Sequence, residues 1–450
     1  MSIEHLNNDT IVAIATANGI GSISIIRISG DEAIKALSYI TDTSNINPRT
    51  AHLKNIHSLD GSLIDNAIVI YFTAPYSFTG EDIVEIQCHG GIGVSSLILD
   101  ELLKSGVVRL ANGGEYSKRA FLNGKIDLSQ AEAISKLIES KSASEVKLLA
   151  RQLKGELKEF VENIRESLLY ALAYSEVTID YADEDLPTDI LEQILVKLDN
   201  IKEQLHHTVE SSKRREGLLG GFKVAIVGKP NVGKSSLLNR LLNYDRAIVS
   251  DIAGTTRDTI EESIKIGTHI IKIVDTAGIR EASDEIEQIG IQRSKDAINE
   301  ADIIVALFDN SKSLAKEDEK ILEIINTTDK DKIIVLNKCD LETKFDTTKI
   351  DEHISLSTKI DITPLIDALE NLLNSKNFED EMMLISKRQV LAVTKTLEHI
   401  NMAYTPLNNG MLEFFSHHIS EAIKEISNIS RPYDNDEMLD KMFSSFCLGK

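Results

Sequence analysis

The segment that most constrains this chain is an apolar strand run that passes directly into a glycine-rich loop and then a helix. Lys223-Val-Ala-Ile-Val227 reads as a buried strand, Gly228-Lys-Pro-Asn-Val-Gly233-Lys234-Ser235 follows at once, and a helical run continues from Ser236 to Leu242. In that context GxxxxGK[ST] is a phosphate-binding loop. Its glycines let the backbone turn amides toward phosphate oxygens, and the helix N-terminus adds positive potential. Lys234 is placed to neutralise the β and γ phosphates, and the Ser235 hydroxyl to ligate Mg²⁺. Such a loop belongs to a parallel sheet flanked by helices, and alternating strand and helix texture continues to about residue 375.

Two further elements specify the nucleotide. Asp275-Thr276-Ala277-Gly278 follows the strand run Ile270–Val274, so that Asp275 suits support of Mg²⁺ and the Gly278 amide can contact a γ-phosphate. Asn337-Lys338-Cys339-Asp340 ends the apolar run Ile333–Leu336. The Asp340 carboxylate can accept both N1–H and N2–H₂ of guanine, a donor pair that adenine lacks. Ser357-Thr358-Lys359 would back the ring. Between the loop and Asp275 stands Gly254-Thr255-Thr256-Arg257-Asp258, where the Thr256 hydroxyl can complete a Mg²⁺ shell only when the γ-phosphate is present, a switch. In this order the elements describe a guanine-nucleotide site. After Gly278 stands Ile279, which cannot orient an attacking water. Either hydrolysis is very slow, or another group does that work, and the acidic segment 280–288 offers several carboxylates.

Around this domain the texture changes twice. The first ~125 residues predict a small α+β domain, with strands over Thr10–Ala15, Ser22–Ile28, Asp65–Phe72 and Ile83–Gln87 and a helix after His89-Gly-Gly. Helical spacing then runs from Ser129, whose Ser129-Gln-Ala-Glu132 has capping-box form, through Val146, Leu149, Leu153, Leu157, Val161, Ile164, Leu168 and Leu172. A second helix passes Ile190, Ile194, Leu198, Ile201 and Leu205 to the charged connector Lys213–Gly217. Helical spacing returns with Val390, Leu391, Thr394 and Leu397, then Leu412, Phe415, Ile419, Ile423 and Ile426. Each stretch has an apolar face needing cover. The expected organisation is therefore an N-terminal domain (1–125), a helical domain in two parts (126–216 and 376–450) and an α/β domain (217–375) inserted between them. Two separate small bundles are the alternative.

A net charge of −22 argues against general coating of nucleic acid, which needs clustered Lys and Arg, and leaves a local basic patch open. Cys88, Cys339 and Cys447 lie far apart and match no metal or disulfide spacing. No apolar run approaches a membrane span and the N-terminus carries no secretory pattern, so a reducing, cytoplasmic location is expected.

The GTTRD segment, the extension Asp275-Thr-Ala-Gly-Ile-Arg-Glu-Ala-Ser-Asp-Glu-Ile-Glu287 and the terminus Phe446-Cys-Leu-Gly-Lys450 point the same way. With Arg27-Ile-Ser-Gly, Ser77-Phe-Thr-Gly-Glu-Asp82, His89-Gly-Gly and Lys125-Ile-Asp-Leu, they make the chain resemble the MnmE (TrmE) family of tRNA-modifying GTPases along its whole length. The sequence departs from the family pattern in small ways: Cys88 replaces a frequent Gly and Leu448 a common Ile, and the loop before Ser357 is short.

The resemblance implies a homodimer that works in a heterotetramer with the flavoprotein MnmG (GidA) to modify C5 of the wobble uridine of certain tRNAs. The one-carbon unit would come from a 5-formyl- or 5,10-methylene-tetrahydrofolate. By position, Arg27, Glu81, Lys125 and Lys450 would bind the folate. Asn231, Thr255 and the backbones of Ser250 and Ile252 would hold K⁺. The GTP contacts would extend over Ser250, Asp251, Ile252, Ala253, Gly254 and Thr255. Glu287 would orient the attacking water in place of the missing side chain at Ile279. Cys447 is read as a structural thiol with a nucleophilic role as the alternative. The competing function is a ribosome-assembly switch that docks on rRNA. Such proteins usually carry a basic RNA module, and the C-terminal helices here are not notably basic. A membrane-remodelling GTPase would need an amphipathic basic helix, and none is found.

Overall fold

The computed structural model describes residues 9–17, 19–180, 190–244, 262–274, 296–350, 352–376, 381–431, 439, 442–444, 446 and 449. The chain divides into two compact units, one of residues 1–136, 152–183 and 402–450 and the other of 137–151 and 184–401.

The first unit is built on a six-stranded sheet of order β3-β4-β5-β2-β1-β6. Its strands are β1 (Thr10–Ile14), β2 (Ile23–Ser29), β3 (His52–His57), β4 (Leu63–Phe72), β5 (Ile83–His89) and β6 (Val108–Leu110). All neighbours are antiparallel except β1 and β6. Helices α1 (Ala33–Ser38) and α2 (Ile92–Lys104) cover an Ile- and Val-rich face centred on Val12, Ile26, Ile28, Val84 and Ile86. Sequence pattern does not announce β3 and β6. In β3 only Ile56 is fully buried and Leu53 is exposed, as suits an edge strand with one neighbour, and β6 is three residues long.

Helices α3 (Glu115–Leu122) and α4 (Leu128–Glu139) follow. The expected Ser129/Glu132 capping box is not the one formed. Asp127 Oδ1 accepts the Gln130 amide at 2.9 Å while Gln130 Oε1 accepts the Asp127 amide at 2.9 Å, so the reciprocal pair sits two residues earlier. A carboxylate at the helix start is the stronger acceptor, and Ser129 donates to that same oxygen. The apolar run from Val146 to Leu172 is also two helices rather than one. Helix α5 (Ala143–Leu153) ends before Gly155, whose φ of +89° only glycine adopts without strain, and α6 (Glu156–Asp180) begins beyond it. Within this unit α12 (Leu412–Ser427) lies along α6, with the Ser175 and Ser416 hydroxyls 2.7 Å apart.

The second unit is a doubly wound sheet of order β12-β11-β10-β7-β9-β8, parallel except for β8 against β9. Its strands are β7 (Phe222–Val227), β8 (Glu262–Ile266), β9 (His269–Val274), β10 (Ile303–Asp309), β11 (Asp331–Asn337) and β12 (Ile354–Ser355). Every residue of β10 is buried, because helices cover both faces. One face packs on α8 (Lys234–Tyr244) and α10 (Thr363–Ser375) through Leu237, Leu241, Leu365 and Leu369. The other packs on α9 (Lys316–Asn326) and residues 297–301 through Ile298, Ile321 and Ile325.

The second unit also holds the long helix α7 (Ile190–Arg214) and most of α11 (Lys387–Asn408). Leu391, expected on the buried face of α11, is 56% exposed, while Val393, Thr396 and Ile400 are buried. In the charged connector Lys213, Arg214 and Glu216 are exposed, but Arg215 is buried and donates to the Ser211 and Met382 carbonyls at 3.2 and 3.1 Å. Among the described residues no helix is long and apolar enough to cross a membrane.

Candidate guanine-nucleotide site

Strand β7 runs through the middle of the parallel sheet, so the loop that leaves it opens at the carboxyl ends of the strands, where doubly wound folds bind ligands. The loop enters α8 at Lys234. The Lys234 ammonium donates back to the Gly228 and Lys229 carbonyls at 2.6 and 2.9 Å, and burial holds it below the usual lysine range. Ser235 and Ser236 are exposed on the first turn of α8.

The segment Asn337–Asp340 is tied to this loop by side chains. Asn337, fully buried at the end of β11, donates from Nδ2 to the Val232 carbonyl at 2.7 Å and accepts the Thr358 amide on Oδ1 at 2.9 Å. Gly233 must be glycine because a Cβ there would run into that Asn337 side chain, at a φ of +110°. The Lys338 ammonium reaches the Asn231 carbonyl at 2.9 Å and Asp309 Oδ2 at 2.6 Å. Asn231 and Lys338 both hold left-handed backbone, with φ of +64° and +66°. Asp340 is exposed at the rim, and a hydrogen bond from Ser357 holds its carboxyl below the ordinary value. Arg240 on α8 donates to the Lys359 and Ile360 carbonyls at 2.5 and 3.2 Å, fixing the loop that carries Ser357 and Thr358. An ionised, exposed acceptor beside a basic phosphate loop is what a guanine nucleotide requires.

In the other unit a second set of charges surrounds Glu81. Arg119 donates to both Glu81 oxygens at 3.1 Å and to Glu115 Oε1 at 3.0 Å, and Ser29 donates to Glu81 Oε2 at 2.7 Å. Arg109 in turn pairs with Glu115 and Asp9, each at 2.6 Å. Arg27 pairs with Glu85 at 2.8 Å across the β2–β5 register, over the Tyr116 ring. Lys125 is exposed, and its Cε would lie 3.2 Å from a Cβ at Gly80, so it neighbours Glu81. A Cβ at Gly449 would lie 2.5 Å from the Ile14 carbonyl, so Gly449 lies at the end of β1, whose Ile14 pairs with Ile26 of β2.

Comparison with known proteins bears on the whole length. The family model described as GTP-binding protein TrmE N-terminus matches residues 10–125, and the MnmE helical domain model matches 128–447. The tRNA modification GTPase MnmE of Aliarcobacter butzleri (strain RM4018) is 64% identical over 444 residues, covering 98% of this chain and 99% of its own. This chain belongs to the MnmE family. The MnmE of Sulfurimonas denitrificans (strain ATCC 33889 / DSM 1251) is 62% identical, covering 99% of this chain and 100% of its own. Among solved structures, Era in complex with MgGDPNP and nucleotides 1506-1542 of 16S ribosomal RNA matches at 26% identity and a TM-score of 0.26, covering 40% of this chain and 66% of that one.

As a member of the MnmE family the chain is a GTP-binding protein and a GTP hydrolase. Of the site residues named from sequence, the structure brings Asn231–Ser236, Asn337, Lys338, Asp340 and Ser357–Lys359 around one loop cluster, and Arg27, Glu81 and Lys125 onto one region of the first unit. Residues 250–256, 275–278, Glu287, Cys447 and Lys450 lie outside the described residues. Sequence reasoning passed over Asp309, which anchors Lys338, and Arg119, which holds Glu81. The Glu115–Arg119 spacing on α3 is a helical ion-pair signal that could have pointed to the latter. Nothing local marks Asp309.

Proposed function

We propose that this protein is a K⁺-activated GTPase that, with a flavoprotein of the MnmG (GidA) type, modifies C5 of the wobble uridine of certain tRNAs to the aminomethyl or carboxymethylaminomethyl form. The observation that carries this reading is the end-to-end likeness to tRNA modification GTPases, N-terminal domain included. The working parts are the N-terminal domain (1–125), the helical domain (126–216 and 376–450) and the GTPase domain (217–375), in a cytoplasmic homodimer that joins the flavoprotein as a heterotetramer.

In the GTPase domain Asp340 selects guanine, and the loop amides with Lys234 cradle the phosphates. Ser235 and Thr256 would hold Mg²⁺, with Asp275 behind them and the Gly278 amide toward the γ-phosphate. Asn231, Thr255 and the Ser250 and Ile252 carbonyls would hold K⁺. The donor set suits it, since amide and carbonyl oxygens are the ligands that replace an alkali cation's hydration shell. What supports Asn231 in this role is its exposed side chain on a backbone that Lys338 fixes at the carbonyl. K⁺ supplies positive charge where charge develops during phosphoryl transfer, the task an arginine finger performs elsewhere. Glu287 orients the attacking water.

In the N-terminal domain Arg27, Glu81, Lys125 and Lys450 would bind a tetrahydrofolate derivative, which supplies the one-carbon unit. The residues fit such a ligand: the Glu81 carboxylate is held rigidly by Arg119 and Ser29 to accept pterin N–H groups, and the exposed Lys125 stands beside it for an anionic tail.

The test is nucleoside analysis of unmodified tRNA incubated with this protein, the flavoprotein, GTP, a tetrahydrofolate one-carbon donor and an amine. A new C5-substituted wobble uridine that requires all the components supports the proposal. Unchanged tRNA, with both proteins binding their cofactors, sinks it.

A further inference from the structure

The second residue of the phosphate loop, Lys229, is not free in solvent as a loop lysine ordinarily is. Its ammonium lies 2.5 Å from Asp318 Oδ2, and the two side chains are 12% and 1% exposed. Asp318 stands in the first turn of α9, where Oδ2 also accepts the Ala315 amide at 3.0 Å. Its other oxygen, Oδ1, is buried and takes no hydrogen bond among the described residues. Lys229 is thus the one cation compensating this carboxylate among the described residues, and the pair is shielded from salt by its burial.

The backbone of Lys229 matters as much as its side chain. Its carbonyl is one of the two that receive the Lys234 ammonium. The same residue therefore carries the seat of the phosphate-binding lysine on its main chain and the tie to α9 on its side chain. We infer that Asp318 is a positioning residue for the phosphate loop, acting through Lys229 to hold the loop in its nucleotide-binding form before nucleotide arrives. Without the tie the loop must be ordered when nucleotide binds, and that cost is subtracted from affinity. The β-phosphate cradle is common to GTP and GDP, so both should weaken together. Asp340 and Ser357 lie on the loops after β11 and β12, so preference for guanine over adenine should stay.

The experiment measures GTP and GDP dissociation constants with a fluorescent nucleotide at 25 °C, alongside the thermal midpoint, for Asp318→Asn, Lys229→Met, the double variant and Lys229→Arg. Asp318→Asn keeps an acceptor for the Ala315 amide and so spares the start of α9. The expected result is a loss of roughly tenfold or more for both nucleotides in each of the first two variants. The double variant should be no worse than either single one, and Lys229→Arg should stay near wild type. Steady-state KM for GTP should rise in step while kcat changes little, because the lost interaction is made equally before and during the reaction. A lowered thermal midpoint with wild-type dissociation constants would overturn the inference, leaving the pair as a staple of α9 alone. Loss confined to GTP would overturn it too. If Asp318→Asn does not fold, Lys229→Met against Lys229→Arg decides: equal, wild-type affinity in both ends the proposal.

Discussion

Asp309 closes β10 directly beside Asn337 in the parallel β10–β11 register, and its carboxylate takes the ammonium of Lys338 at 2.6 Å. Burial alone would push this carboxyl up, but Lys338 and Ser311 outweigh burial and hold it below the ordinary value. Lys338 is thereby fixed between a buried carboxylate and the Asn231 carbonyl of the glycine-rich loop. The loop after β7 and the loop after β11 are one connected structure.

Asn337 is the centre of that connection. Asn337→Ala leaves the Val232 carbonyl and the Thr358 amide without partners in a buried setting, at a cost of about 2 kcal/mol or more. Expected are a lower thermal midpoint and GTP affinity reduced at least tenfold, read by calorimetry and nucleotide titration. Wild-type affinity would mean that the two loops act independently.

In the proposed function, base selection rests on Asp340. Asp340→Asn replaces an acceptor pair by one acceptor and one donor, which no longer matches the N1–H and N2–H₂ of guanine. It does match xanthine, whose C2 carries a carbonyl. GTP affinity should fall by roughly a hundredfold, about 2.7 kcal/mol, while xanthosine triphosphate gains. Competition between the two nucleotides on wild type and variant measures it, and an unchanged preference would place the base elsewhere.

The charge network of the N-terminal unit sets an acid limit on stability. Burial pushes the Glu115 carboxyl up, but Arg109, the Asn112 amide and Arg119 outweigh it and bring it from 4.5 to about 2. Because the folded value lies below the unfolded one, this stabilisation is complete above about pH 4.5 and is lost as pH falls toward about 2. Glu115→Gln should melt below wild type at pH 7, and the gap should narrow steadily toward pH 3. A gap independent of pH would assign the loss to packing instead of charge.

How much of this was legible in sequence depends on whether a signal is local. The strand–loop–helix from Lys223 to Leu242 and the element Asn337–Asp340 are contiguous, and each is found at the end of the strand its apolar run implied. The α+β character of the N-terminal region also showed, because Ile and Val runs mark central strands. Its edge strand β3 did not, since an edge needs little apolar surface. Helix ends were read imperfectly: Ser129 and Asp127 are both plausible caps by type, and only packing chooses between them. The ties that make the site rigid were invisible. Asp309 meets Lys338 and Asp318 meets Lys229 because the parallel register and the β10–α9 connection bring distant residues together, and no spacing rule records that.

The most direct test of the account is steady-state GTP hydrolysis in KCl and in NaCl at equal ionic strength, for wild type, Asn231→Ala and Glu287→Ala. The expected result is strong activation by K⁺ in wild type, weakened when Asn231 loses its amide and abolished when Glu287 loses its carboxylate. Equal slow rates in both salts, unchanged by either substitution, would contradict K⁺-assisted hydrolysis while leaving GTP binding intact.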